Sequence, residues 1–166
     1  MRVYALAAWR AAADPVHPLD YRATAAELGR LVEGFAGQLG DGFDLSAAYE
    51  AAARLRETVE GFYSQVVEPA RARAAVEHRK GPGPSELAEV NARIRSLGRI
   101  LVNLVYSQDG RYRQDPALPV RPLPELVAAV AALNAGDVDP GFVRTDVVRA
   151  CNRIVGAAEE AMEVLA

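Results

Sequence analysis

Residues 20–39 read D-Y-R-A-T-A-A-E-L-G-R-L-V-E-G-F-A-G-Q-L. Tyr21, Ala25, Leu28, Val32, Phe35 and Leu39 recur there at spacings of four and three. Only a helix gathers such a set onto one side, so the stretch reads as a heptad seam over 20–39. Asp20 is placed to cap its first turn with a side-chain oxygen, and Gly40, Asp41 and Gly42 stop it.

The same period recurs along the chain. Leu45, Ala48, Ala52, Leu55, Val59, Phe62 and Val66 predict a helix over 45–68, started by Asp44 or Ser46. Pro69 is expected to kink or end it, because proline lacks the N–H and its ring crowds the preceding turn. Residues 71–80 are then expected as a separate helical stretch. Gly81-Pro82-Gly83-Pro84 breaks the chain, and Ser85 is expected to cap a helix over 85–106 with the seam Leu87, Val90, Ile94, Leu97, Leu101 and Leu104. Ile100 and Val105 widen that stripe. A short helix over 124–134 carries Leu126, Val127, Val130 and Leu133. The last helix, over 141–165, carries Val143, Val147, Cys151, Ile154, Ala158, Ala161 and Leu165. Beside that row run Val148, Val155 and Met162, a second apolar row suited to core or to an interface. At the other end, residues 2–13 read as a short helix, broken by Asp14-Pro15 and His17-Pro18.

These elements predict an all-α protein, one domain over 1–166. The expected form is an antiparallel four-helix-bundle-like arrangement with additional short helices and one proline-rich loop. Gly29, Gly34, Gly61, Gly98 and Gly156 fall inside the helical stretches, each costing up to about 1 kcal/mol relative to alanine. They are expected to permit close helix approach.

Composition narrows the function. A net charge of −3 and a pI near 5.5 argue against a nucleic-acid surface. No run of about 18 apolar residues exists to span a membrane. The opening M-R-V-Y-A-L-A-A-W-R is interrupted by Trp9 and Arg10 and reads as a helix of the domain, not a signal peptide. Chemistry is sparse. No Glu-x-x-His pair, Ser/His/Asp order, phosphate loop or cysteine pair appears. No catalytic residue, metal ligand or cofactor is therefore assigned, and the chain is expected not to be an enzyme by itself. Cys151, the single cysteine, falls on the apolar face of the last helix and reads as core. Arg71, Arg73, His78, Arg79 and Lys80 read as positive charge complementing a helix C-terminus.

The stretch a helix cannot cross is the loop 107–122, inside the longer run 103–124 that holds Pro116, Pro119, Pro122 and Pro124. Within it stand Arg111, Tyr112 and Arg113, the candidate ligand-binding residues. Two guanidinium groups beside an aromatic ring can fork onto a carboxylate while the ring covers its carbon chain. The alternative is that Tyr112 anchors the loop and the arginines are solvated or pair with Asp109 and Asp115.

Tyr4-Ala5-Leu6-Ala7, Pro18-Leu19-Asp20-Tyr21, Val90-Asn91-Ala92-Arg93, Leu97-Gly98-Arg99-Ile100-Leu101 and Tyr106 with Gly110-Arg111-Tyr112 occur here in that order. Asp115-Pro116-Ala117-Leu118-Pro119, Pro122-Leu123-Pro124, Val148-Arg149 and Asn152-Arg153 follow. In order and spacing the chain resembles the transferrin-receptor-like dimerisation domain, the C-terminal helical domain of the transferrin receptor and glutamate carboxypeptidase group of zinc peptidases. The resemblance implies a homodimer and a supporting, non-catalytic role beside a separate α/β zinc-peptidase domain, which would hold the zinc ions. It also implies that the loop helps to cover that domain's active site. Arg111-Tyr112 falls near a Lys-Tyr pair that closes over the substrate carboxylate in such carboxypeptidases, with Arg in place of Lys and Gln114-Asp115-Pro116 in place of small residues.

Overall fold

The heptad seams become helices in the computed structural model, which describes residues 2–76, 84–107, 120–136 and 138–166. The order is α1 (Arg2–Ala13), α2 (Arg22–Leu39), α3 (Ser46–Phe62), a π-helical turn (Tyr63–Val67), α4 (Glu68–Val76), α5 (Pro84–Tyr106), α6 (Pro124–Ala135) and α7 (Pro140–Leu165). No strand occurs among the described residues, and the fold is all-α.

Polar contacts give the helix directions. Arg22, at the start of α2, reaches Glu68 beyond the end of α3 (2.8 Å), so α2 and α3 run antiparallel. Arg93 in the first half of α5 donates to Leu165 O at the end of α7, and Arg153 reaches Leu104 O near the end of α5. That pair is antiparallel too. Tyr21 lies against Gly98 and Glu27 accepts from Tyr106 Oη, making α2 and α5 parallel. Direction therefore alternates along the chain, while α3 and α7 lie side by side in parallel. Helix α7 packs on α3, α5 and α6, and α2 packs on α3 and touches α5 and α6.

The predicted seams form the core. Leu28, Val32, Leu55, Val59, Ile94, Leu97, Leu101, Leu126 and Ile154 are all fully buried. Burying each such side chain contributes about 1.5–3 kcal/mol relative to leaving it in water. Cys151 is part of this core, and burial, with the Asp44 charge, pushes its thiol above the ordinary value. The second row of α7 is graded: Val148 is exposed, whereas Val155 and Met162 pack on the core.

Three helices start by one device. A side-chain oxygen of Asp20 accepts from Arg22 N (3.0 Å), one of Asp44 from Ser46 N (2.9 Å) and one of Asp139 from Gly141 N (2.6 Å). Each satisfies a backbone donor that the first turn leaves free. Tyr21, not Asp20, holds the cap position of α2. Ser85 lies inside the first turn of α5, which begins at Pro84, so it is not the cap that its position suggested.

Pro69 neither ends nor separates the helix. The rod continues from Ser46 through the π-turn and α4 to Val76. The carbonyl that Pro69 cannot bond and would crowd belongs to Gln65, inside the π-turn, where the wider winding makes room. The extra residue also shifts the seam. Buried positions after Phe62 are Tyr63, Val67 and Ala70, while Val66, the heptad choice, is only half-buried.

Candidate functional site at the base of the proline-rich loop

Both ends of the loop are held at one place. Leu123 N donates to Val105 O (2.8 Å), tying the returning strand of the loop to the last turn of α5. Leu123 is buried and left-handed, with φ 53° and ψ 61°, an unusual state for a residue with a Cβ. It acts as the N-cap of α6, and Pro124 follows at the first helical position, where a missing N–H costs nothing. The carbonyl of Leu123 accepts from Leu126 N and Val127 N, so its turn is bonded on both sides.

Arg153 of α7 closes the base. Its Nη2 donates to Asn103 O (2.9 Å), Leu104 O (3.4 Å) and Ser107 O (3.4 Å), carbonyls at and just past the C-terminal end of α5. Its Nη1 donates to Glu125 (2.6 Å) in the first turn of α6. The guanidinium thus meets the negative end of one helix dipole, and the carboxylate sits at the positive end of another. Leu104, Leu123, Leu126, Ala150 and Ile154 line a small cleft beside Arg153. Chemically, this is a rigid mount with its polar groups satisfied. What it presents is the loop.

Arg111, Tyr112 and Arg113, with Asp109 and Asp115, lie outside the described residues. Periodicity gave no sign of Arg153, which reads as one more polar position between apolar rows.

A second cluster lies at the root of α1. Asn91 Oδ1 accepts from His17 N (2.8 Å) and Asn91 Nδ2 donates to Pro15 O (2.9 Å). Arg71 donates to His17 O (3.1 Å), and Arg95 Nη1 lies 2.8 Å from His17 Nε2. Val16 is buried between them. Tyr63, in the π-turn, completes the clamp: its hydroxyl donates to Leu19 O (3.1 Å) and accepts from Tyr21 N (3.3 Å). Burial raises the Tyr63 phenol to about 12. The Arg22 guanidinium covers its ring at 5.2 Å. Local sequence shows only the break at Asp14-Pro15 and His17-Pro18 and not this clamp, since Asn91, Arg95 and Tyr63 are distant along the chain.

Helix α1 itself stands out from the body. Each of its described side chains is exposed, including Val3, Tyr4, Leu6 and Trp9. Among the described residues no group of three or more His, Cys, Asp or Glu could hold a metal ion, and no helix is long and apolar enough to cross a membrane. Comparison with protein-family models, with curated proteins and with solved structures finds no match to this chain.

Proposed function

We propose that this chain is a non-catalytic association and support domain of a zinc-peptidase-like protein: it forms a homodimer, and its loop 107–122 covers the active site of a separate α/β catalytic domain. The observation that carries the association role is α1, whose large apolar side chains Val3, Tyr4, Leu6 and Trp9 are exposed among the described residues. Exposed apolar surface gathered on one element is the usual mark of a surface that another folded unit covers. The loop role is supported by the mount, where Arg153, Glu125 and Leu123 hold both ends of the loop to α5, α6 and α7.

The other reading keeps the same loop and dispenses with the catalytic domain. In it, a free-standing helical protein binds a small acidic ligand through Arg111, Tyr112 and Arg113. Two measurements test these readings. Light scattering at tens of micromolar, where an interface of micromolar affinity is occupied, reports a dimer under the first; a monomer overturns its association role. Thermal unfolding with a glutamate-like diacid shows a shift that Tyr112→Ala abolishes under the second, and no shift removes it.

A further inference from the structure

We infer that the dimer face is α1, paired antiparallel with α1 of a second copy through Tyr4, Ala8 and Trp9. The inference rests on the association role proposed above and assigns its surface. Three observations lead to it.

First, α1 is the only helix whose described side chains are all exposed, with Tyr4 at 82% and Trp9 at 69%. At 100° per residue, Tyr4, Ala5, Ala8, Ala12 and Trp9 share one side, and Val3 and Leu6 fall on the other. The three alanines let two helix axes approach closely, while the aromatics flank them. A helix at a lipid surface needs a charged face opposite its apolar one. Here the opposite side carries Val3 and Leu6 with Arg10 between them, a mixed row and not the strongly charged face of a lipid-surface helix, which favours a protein partner.

Second, the area suits a second copy. With roughly 150–250 Å² per buried aromatic, the Tyr4 and Trp9 side exposes on the order of 500 Å². A two-fold contact uses the same patch twice, so it buries on the order of 1,000 Å², the low end for a specific interface.

Third, the root of α1 is clamped. Asn91, Arg71 and Tyr63 bond the connector at Pro15, His17, Leu19 and Tyr21, so α1 leaves the body in a set direction. Antiparallel pairing places the exposed Asp14, just past the end of α1, beside the first turn of the partner's α1, where negative charge is favoured.

The test is sedimentation velocity on the full chain from about 1 to 100 μM, the range spanning weak specific interfaces. Ala8→Glu and Trp9→Glu change exposed positions, and circular dichroism checks that both fold. The expected result is a wild-type dimer whose Kd rises at least about 30-fold in either variant, as for a central contact worth 2 kcal/mol. Leu6→Glu and Val148→Glu, on other faces, leave Kd within about threefold, the scale of peripheral contacts. A dimer that survives both Ala8→Glu and Trp9→Glu, or that is lost with Val148→Glu alone, overturns α1 as the face and leaves the association role standing. A wild-type monomer throughout overturns both. So does a monomer whose Trp9 fluorescence shifts to the blue only on vesicles of anionic lipid, which would make lipid the occupant.

Discussion

The hydroxyl end of the Tyr21 ring lies against the backbone of Gly98, leaving no room for a side chain: a Cβ built there would come within 2.5 Å of Cζ. Tyr21 opens α2 and Gly98 is in mid-α5, so this contact sets how closely the two parallel helices approach. Of the glycines inside the helices, Gly98 alone has this role. Gly29, Gly34 and Gly156 have nothing within 4 Å, and Gly61 meets only the end of Gln65. For those four, the expectation of close helix approach is corrected: among the described residues, no other helix lies within 4 Å of a Cβ placed there.

Gly98→Ala gains up to about 1 kcal/mol of helix propensity but incurs about 1–3 kcal/mol of overpacking. The expected outcome is a net loss near 1 kcal/mol in urea unfolding. Gly34→Ala, with no obstacle, is expected to stabilise by about 0.5–1 kcal/mol. In a Tyr21→Ala background the loss at Gly98 should turn into a gain.

Removing the Tyr63 hydroxyl leaves Leu19 O and Tyr21 N without their partner. Tyr63→Phe is expected to lower stability by about 1–2 kcal/mol and to speed hydrogen exchange at Tyr21. The phenol gives a pH signature as well. Its folded value, about 12, lies above its ordinary 10. The stability it contributes is therefore complete below pH 10 and is lost as pH rises towards 12. Asp20 acts at the other end. Its hydrogen bond from the Arg22 side chain holds its carboxyl below the ordinary range, so its contribution is present above about pH 4 and fades as pH falls. Denaturant midpoints across pH should fall more steeply above pH 10 in the wild type than in Tyr63→Phe.

Arg153→Met keeps the aliphatic stem and deletes the fork that binds three carbonyls and Glu125. The expected loss is about 2–3 kcal/mol, the range for hydrogen bonds to a charged group. Exchange at the end of α5 should quicken. Arg153→Lys should recover less than half, because an ammonium cannot reproduce the planar fork.

The π-turn makes a prediction about register. Val67 is buried and Val66 half-buried, so Val67→Ala should cost about 2 kcal/mol and Val66→Ala less than half as much. Equal losses would mean that the heptad runs on unshifted through Pro69.

Helix type and core were legible because each rests on residues within a turn or two of one another. The seam Leu28, Val32, Phe35 and Leu39 needs only the period of the helix to show which side is apolar, and the acids Asp20 and Asp44 bond donors two residues on. The candidate site was legible only in part. Prolines marked the loop. Its mount depends on Arg153 meeting Asn103, Leu104 and Glu125, contacts between segments far apart in the chain, which no local spacing encodes.

By itself, then, the amino-acid order determined that this protein is all-α and which faces of its long helices are buried, since hydrophobic periodicity and turn chemistry act over neighbouring residues. Tertiary structure alone decided the rest. It placed Tyr21 on Gly98, moved the seam from Val66 to Val67, closed the loop base with Arg153, and left α1 uncovered. Each of these depends on the shape and donors of a second segment, and a side chain's partner across the fold is fixed only when the helices have packed.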